Sequence, residues 1–493
     1  MAKVLGVLFA FILLVTAIGC GGGSSTPAPT PTPGQIFPNN EQLAQTPPVK
    51  VGTSGGNAND LGAKVCCIGT LGSLWTAPGV TNPVILSNNH VLDRSDKGVA
   101  GEAINQPLQL ACTARTAPAP LTVAHLTKGA PLKPLVNQPG ACGTSKAPLC
   151  GSAPSNVDAA IAEIVPGQVD TSGTILDLGP AGATTIADAP PSSTLGVAAL
   201  GEGVGKSGRT TGLTCSTVTS ISTTTSIDYE GTCGDTAPPS TTPPAFAVIF
   251  TNQVMIAGGN FSAGGDSGSL IVDTATARPV ALLYGGSPTN TVANPIQEVI
   301  KAFDVNSPLS IVGGADHAVS CATTATASAT QVGAAQAALV PQERQRVTAV
   351  QQRRAAQLMQ DESIASVSVG ASADNPTEGA LLIHVAGATI PRVPATIDGV
   401  RTRLVFDASS AAFSNPSVGP KEIAQATSVK EAHVSDLMSK SGIQGVGVSL
   451  SLDNATETAI SIFVVKGVAH QPIPAVIDGV RTRIFEDERF KAY

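Results

Sequence analysis

Apolar positions along the chain fall into three textures. The first follows Lys3, where Val4 to Ile18 form a nearly unbroken apolar run. It is too short to span a bilayer comfortably and reads as a cleavable export signal. The second texture runs from about residue 50 to 316. Here short apolar runs such as PVILSNN, NVDAAIAEIV, FAVIFTNQVMI, SLIVD and RPVALLYGG are cut by Gly, Pro and Asn. Runs of that length bounded by turn residues predict strands, and no helical period persists among them. The third texture begins after 317. Pro341 opens a stretch to about Gln360 with Val347, Val350, Leu358 and Met359 on one face, which predicts a helix. A second helix is predicted to begin near Ser428, where Ser428 and Glu431 have capping-box spacing.

Behind each predicted helix lies the same passage. SIASVSVGASADNPTEGALLIHV answers GIQGVGVSLSLDNATETAISIFV, and PATIDGVRTRLVF answers PAVIDGVRTRIF. Asp398 thus matches Asp478, and Arg401 and Arg403 match Arg481 and Arg483. This internal duplication predicts two small α+β modules packed together. The recurring arginines read as solvated charge beside a turn, with an anionic ligand or docking surface as the alternative. His384 and His470 are not equivalent between copies and read as structural or surface residues. The expected organisation is a signal (1–20), a flexible tether (21–49), a mainly β domain (50–316), a linker (317–340) and two repeats (341–412 and 420–493).

Composition narrows the class. The chain of 493 residues carries 51 Gly and 37 Pro but only 13% charged residues, as suits a β-rich protein with many turns. The net charge of -7 is spread out, and no basic stripe with interleaved aromatics appears, so nucleic acid is not an expected partner. The apolar run ends at Cys20, followed by GGGSSTPAPTPTPG. This resembles a bacterial lipoprotein signal, which implies lipid attachment at Cys20, a membrane anchor and an extracytoplasmic location. The Gly/Ser/Thr/Pro run behind it cannot build a core and suits a tether. Of the 9 cysteines, those other than Cys20 are Cys66, Cys67, Cys112, Cys142, Cys150, Cys215, Cys233 and Cys321. An even number in an oxidising compartment predicts disulfides. Cys142–Cys150 and Cys215–Cys233 are the local pairings expected, because each pair brackets a loop-rich stretch. Zinc at Cys66-Cys67 is the alternative, but no partner spacing supports it, and no metal or cofactor is expected.

The candidate chemistry centres on Gly264-Gly265-Asp266-Ser267-Gly268-Ser269. A nucleophilic Ser needs a tight turn with backbone N–H groups turned toward the reacting carbonyl. GGDSGS resembles the GDSG core of trypsin/chymotrypsin-like serine proteases, which implies that the N–H groups of Gly265 and Ser267 would form an oxyanion hole. PVILSNNHVL, with His90 just after an apolar strand, resembles that family's strand-then-His element. NVDAAIAEIV, with Asp158 at a strand head, resembles its acid element. The order His, Asp, Ser is that of chymotrypsin. The resemblance covers roughly 50–316 and implies a chymotrypsin-like double six-stranded β-barrel. Its catalytic residues would be His90, Asp158 and Ser267, its substrate a protein or peptide.

The same resemblance assigns substrate contacts to Phe261, Tyr284 and Gly285. Phe261 stands at the pocket base, which implies an apolar pocket. Tyr284 stands where the family usually has Trp. Leu283 stands where it usually has a Ser that supports the Asp. His125, in LTVAH, is the rival base, but only a loop-rich stretch would then separate it from Asp158. Asp93 and Asp96 read as a solvated turn. IVGGAD (Ile311–Asp316) resembles an activated trypsin start but follows Ser267, so it is expected to be a closing strand. GEGVGKS is one residue short of a phosphate loop and is expected to be an early hairpin. The partner of Asp266 is left open. The competing function is a catalytically inactive trypsin-like scaffold acting as an extracytoplasmic binding or adhesion protein.

Overall fold

A computed structural model describes residues 40–60, 68–107, 120–133, 156–181, 186–229, 246–303, 308–321, 339–387, 389–406 and 418–493. The fold is mainly β, as the short apolar runs predict. One sheet holds Thr53–Asn57, Gly69–Leu71, Ser73–Thr76, Val84–Ser87, Ala103–Gln106, Leu121–Gly129 and Ala160–Ile164. Ser310–Ile311, where the IVGGAD stretch begins, forms one edge of this sheet by pairing with Ser73–Thr76. The second sheet contains Gly203–Gly208, Gly212–Tyr229, Phe246–Ala257, Leu270–Asp273, Pro279–Gly286 and Asn290–Pro295. It is larger than a six-stranded barrel for a simple reason. The long strand Gly212–Tyr229 leaves a backbone edge free, and Ile443–Leu450 of the second repeat pairs with it antiparallel. Backbone groups at a sheet edge need partners, and here another part of the chain supplies them.

Each C-terminal repeat has the same element order. The first reads helix Pro341–Leu358, then Ile364–Ala371, Gly379–Val385, Thr396–Ile397 and Val400–Val405. The second reads helix Pro420–Met438, then Ile443–Leu450, Thr458–Val465, Val476–Ile477 and Val480–Asp487. In both, the last long strand runs parallel to the second one. The second helix starts eight residues before the expected Ser428. Pro420 takes its first turn after Gly419, so Ser428 lies inside the helix and caps nothing.

The matched arginines are not solvated turn residues. Arg401 and Arg481 are each only 1% exposed. The Arg401 guanidinium donates to Thr482 O at 2.8 Å and Thr482 Oγ1 at 3.0 Å, and Arg481 makes the same bonds to Thr402 at the same distances. Their Nε atoms reach Glu378 and Glu457. The two repeats thus clasp each other reciprocally, a feature invisible in either copy alone. Arg401→Ala and Arg481→Ala are each expected to destabilise the fold by about 2 kcal/mol, the usual scale for hydrogen bonds to a charged group. Thermal unfolding checks this, and the two losses should be similar.

Three further expectations change. Cys215 is bonded to Cys321, not Cys233. The segment after Asp316 runs back along the sheet, with Val319 N–H donating to Thr274 O, and carries Cys321 to the strand that holds Cys215. Residues 317–321 thus pack on the sheet where a linker is expected. Cys142–Cys150, Cys66, Cys67, Cys112, Cys233 and Cys20 lie outside the described residues. Packing also starts earlier than the expected tether boundary: Glu41 and Val49 are fully buried.

Candidate active site

The strand Val84–Ser87 is buried throughout and runs directly into the short helix Asn89–Leu92. It pairs antiparallel with Ala160–Ile164, with Ser87 opposite Ala160. That register puts His90 and Asp158 at the same end of the strand pair. The Ser-Asn-Asn before His90 fixes the junction. Ser87 Oγ donates to Thr70 O, and Asn88 Nδ2 donates to Asp158 O, both at 2.7 Å. Asn89 Nδ2 donates to Ala130 O at 2.8 Å.

His90 Nδ1 lies 2.6 Å from Asp158 Oδ2, and the His90 backbone N–H donates to Asp158 Oδ1 at 3.2 Å. Asp158 is fully buried. Burial pulls the imidazole pKa down. The Asp158 charge and hydrogen bond, with a backbone oxygen of Tyr493, more than offset it, and the net shift is upward. A third group completes the cluster: Tyr229 Oη donates to Asp158 Oδ2 at 2.6 Å. Burial, then the Asp158 charge, hold that phenol well above its usual pKa, so it remains a donor. Leu283 has no hydroxyl to offer Asp158, and Tyr229, 71 residues further along the chain, supplies one. No motif marked it.

Ser267 sits on a turn that the glycines permit. Gly265 has φ +98°, and a Cβ there would stand 2.5 Å from Thr210 Oγ1 and 2.6 Å from Arg209 Nη1. Glycine is therefore required by the backbone and by crowding against the neighbouring hairpin. Asp266 ties the turn to that hairpin. Its carboxylate accepts from the backbone N–H groups of Thr210 (2.7 Å), Thr211 (3.1 Å) and Ala263 (3.0 Å), and from Thr211 Oγ1 (2.7 Å). Lys206 Nζ lies 3.5 Å from Asp266 Oδ2, with both side chains fully buried. Burial lowers the Lys206 pKa and Asp266 opposes that shift. The partner of Asp266 is thus internal. It comes from GEGVGKS, which forms the hairpin strand Gly203–Gly208 as expected.

The edge of Pro279–Gly286 is covered by the segment 490–493. Ala492 pairs with Gly285 and Lys491 with Gly286, antiparallel. Tyr493 N–H donates to Tyr284 O at 3.3 Å. Tyr493 O then meets both functional groups: Ser267 Oγ at 2.9 Å and His90 Nε2 at 2.9 Å. Ser267 Oγ also reaches Tyr284 O at 3.2 Å. The three residues singled out by sequence are therefore brought together, with a backbone oxygen shared between imidazole and hydroxyl.

The three expected substrate contacts are placed differently from one another. Tyr284 and Gly285 face the seated segment through their backbones. The Tyr284 ring is fully buried, 4.9 Å from Phe250. Phe261 is 2% exposed in an apolar cluster with Val204, Ile271 and Leu283, against which Tyr493 packs. Its ring lies 5.9 Å from Lys206 Nζ. His125 sits mid-strand with its side chain outward, Nδ1 3.1 Å from Gly101 O. Asp96 is not simply solvated, since it accepts from Asn89 Nδ2 and Leu132 N–H. Asp93, half-buried beside Asp96 and Glu102, is pushed up to about 6, chiefly by burial. Among the described residues, no group of three or more His, Cys, Asp or Glu could hold a metal ion.

No family model matches the chain, and no curated protein matches it. Solved structures do. A glutamic-acid-specific serine protease is 17% identical, covering 53% of this chain and 100% of its own, with a TM-score of 0.32. Cellulomonas bogoriensis chymotrypsin is 13% identical over 54% of this chain and 99% of its own, with a TM-score of 0.31. A Nocardiopsis protease is 15% identical over 53% and 98%, also at 0.31. At such scores the functional reading rests on the site's own geometry.

Proposed function

We propose that the chain is an extracytoplasmic serine endopeptidase, with its catalytic part in residues 50–316. Ser267 attacks the scissile carbonyl of a protein or peptide. His90 takes the hydroxyl proton through Nε2 and returns it to the leaving amine. Asp158 holds the tautomer with the proton on Nδ1 and stabilises the imidazolium. The Gly265 and Ser267 backbone N–H groups receive the developing oxyanion. One observation carries this reading. A backbone oxygen lies 2.9 Å from both Ser267 Oγ and His90 Nε2, while His90 Nδ1 is 2.6 Å from Asp158. The shared oxygen brings the hydroxyl and the imidazole to one point, and its contact with Nε2 is that of the protonated ring, the form that follows proton transfer from Ser267. The Cys215–Cys321 disulfide supports an oxidising compartment, and the leader ending at Cys20 supports a lipid anchor there.

A fluorophosphonate probe tests the reading. The folded protein is expected to label, Ser267→Ala to lose labelling completely, His90→Ala to lose at least a hundredfold in rate, and His125→Ala to label like wild type. Labelling that survives Ser267→Ala would sink it.

A further inference from the structure

We infer that the segment 490–493 occupies the acyl side of the chain's own substrate cleft, and that the cleft selects tyrosine as the residue donating the scissile carbonyl. This rests on the serine-protease reading above and adds to it a substrate class and a restraint on activity in cis.

Three sets of contacts make the segment substrate-like. The backbone lies as an antiparallel strand, Ala492 on Gly285 and Lys491 on Gly286. Its Tyr493 N–H is bound to Tyr284 O, which orients the following carbonyl. That carbonyl oxygen lies on Ser267 Oγ and His90 Nε2. On its other side the strand is held by Gly212–Tyr229: Asp228 N–H donates to Phe490 O at 3.0 Å, and Lys491 pairs with Asp228. Phe490 is fully buried, 5.6 Å from the Phe463 ring of the second repeat. The repeat therefore anchors the segment that fills the cleft.

The pocket beside this strand is shaped for a phenol. Tyr493 Oη donates to Ser287 O at 3.0 Å, and the Ser262 hydroxyl stands beside it. Burial pushes the phenol up to about 12, so it enters as a neutral donor. Gly286 makes the room: a Cβ there would lie 2.6 Å from Tyr493 Oη. A phenylalanine would fill the same space and leave the Ser287 carbonyl without its donor. A glutamate would bring a negative charge among Ile256, Phe261 and Leu283 and toward Asp266 and Asp487, whose charges already act on the Tyr493 phenol.

The test uses the full chain with Tyr493→Asp, and separately Lys491→Pro, each checked for an unchanged thermal transition. Both should label with a fluorophosphonate at least tenfold faster than wild type. On acetyl-Phe-Lys-Ala-X p-nitroanilides, both should cleave X = Tyr about tenfold better than Phe, and at least a hundredfold better than Glu. Equal labelling of wild type and both variants would show an open cleft and overturn the inference while the protease reading stands. Faster labelling without a preference for Tyr would overturn the specificity. No labelling of any folded form would remove the protease reading and the inference with it.

Discussion

Asp158→Asn is expected to lower turnover of a tyrosyl peptide anilide about ten-thousand-fold, with substrate affinity little changed. Asp158 Oδ2 receives both His90 Nδ1 and Tyr229 Oη at 2.6 Å. An amide at 158 has one oxygen for two donors, and turning its NH2 toward the ring selects the tautomer with the proton on Nε2, which leaves no lone pair there to take the Ser267 proton. It also removes the charge that favours imidazolium. The pH profile should move in a defined direction. In wild type the imidazole is shifted upward, so the neutral base, and activity with it, appears above the ordinary imidazole range. Without Asp158, burial dominates and the acidic limb moves to lower pH. The stability linkage has matching sign: a raised His90 pKa stabilises the fold fully below the unfolded value, and this is lost as pH rises through the folded one. Hydrolysis rates and thermal midpoints measured against pH, both with the cleft opened by Tyr493→Asp, check this. An unshifted acidic limb would rule the assignment out.

The second large effect is expected from Lys206→Met. Lys206 and Asp266 are fully buried and 3.5 Å apart. Removing one partner of a buried pair strands the other, which costs about 3–5 kcal/mol. The loss should fall on catalysis as well as stability, because Asp266 joins the Ser267 turn to Thr210 and Thr211 of the adjacent hairpin. Urea unfolding reads the first effect and fluorophosphonate labelling the second. The double variant Lys206→Met with Asp266→Asn should recover part of the stability, because the remaining amide still meets Thr211 and carries no charge. A double variant no more stable than Lys206→Met would show that the ion pair is not the source.

Some of the site was legible because the chemistry leaves local marks. A turn carrying Ser267 needs glycine at 265, and His90 and Asp158 each follow or lead a short apolar strand. Those signals lie within a few residues of the functional group. The partners that tune the site do not. Tyr229 reaches Asp158 from the end of an 18-residue strand, and Lys206 hides in a failed phosphate-loop pattern. Arg401 and Arg481 look like surface charge until the two repeats face each other. Cys215 is nearer in sequence to Cys233, yet strand return brings it Cys321.

By itself, then, the sequence determined the mainly β character, the duplication and the order of three candidate residues, because periodicity and turn chemistry are set by neighbouring residues. Tertiary structure alone decided what Asp266 and Asp158 bond to, how the repeats clasp, and that Tyr493 meets Ser267. Those are contacts between groups up to hundreds of residues apart, created by sheet register and edge pairing, and no local pattern encodes them.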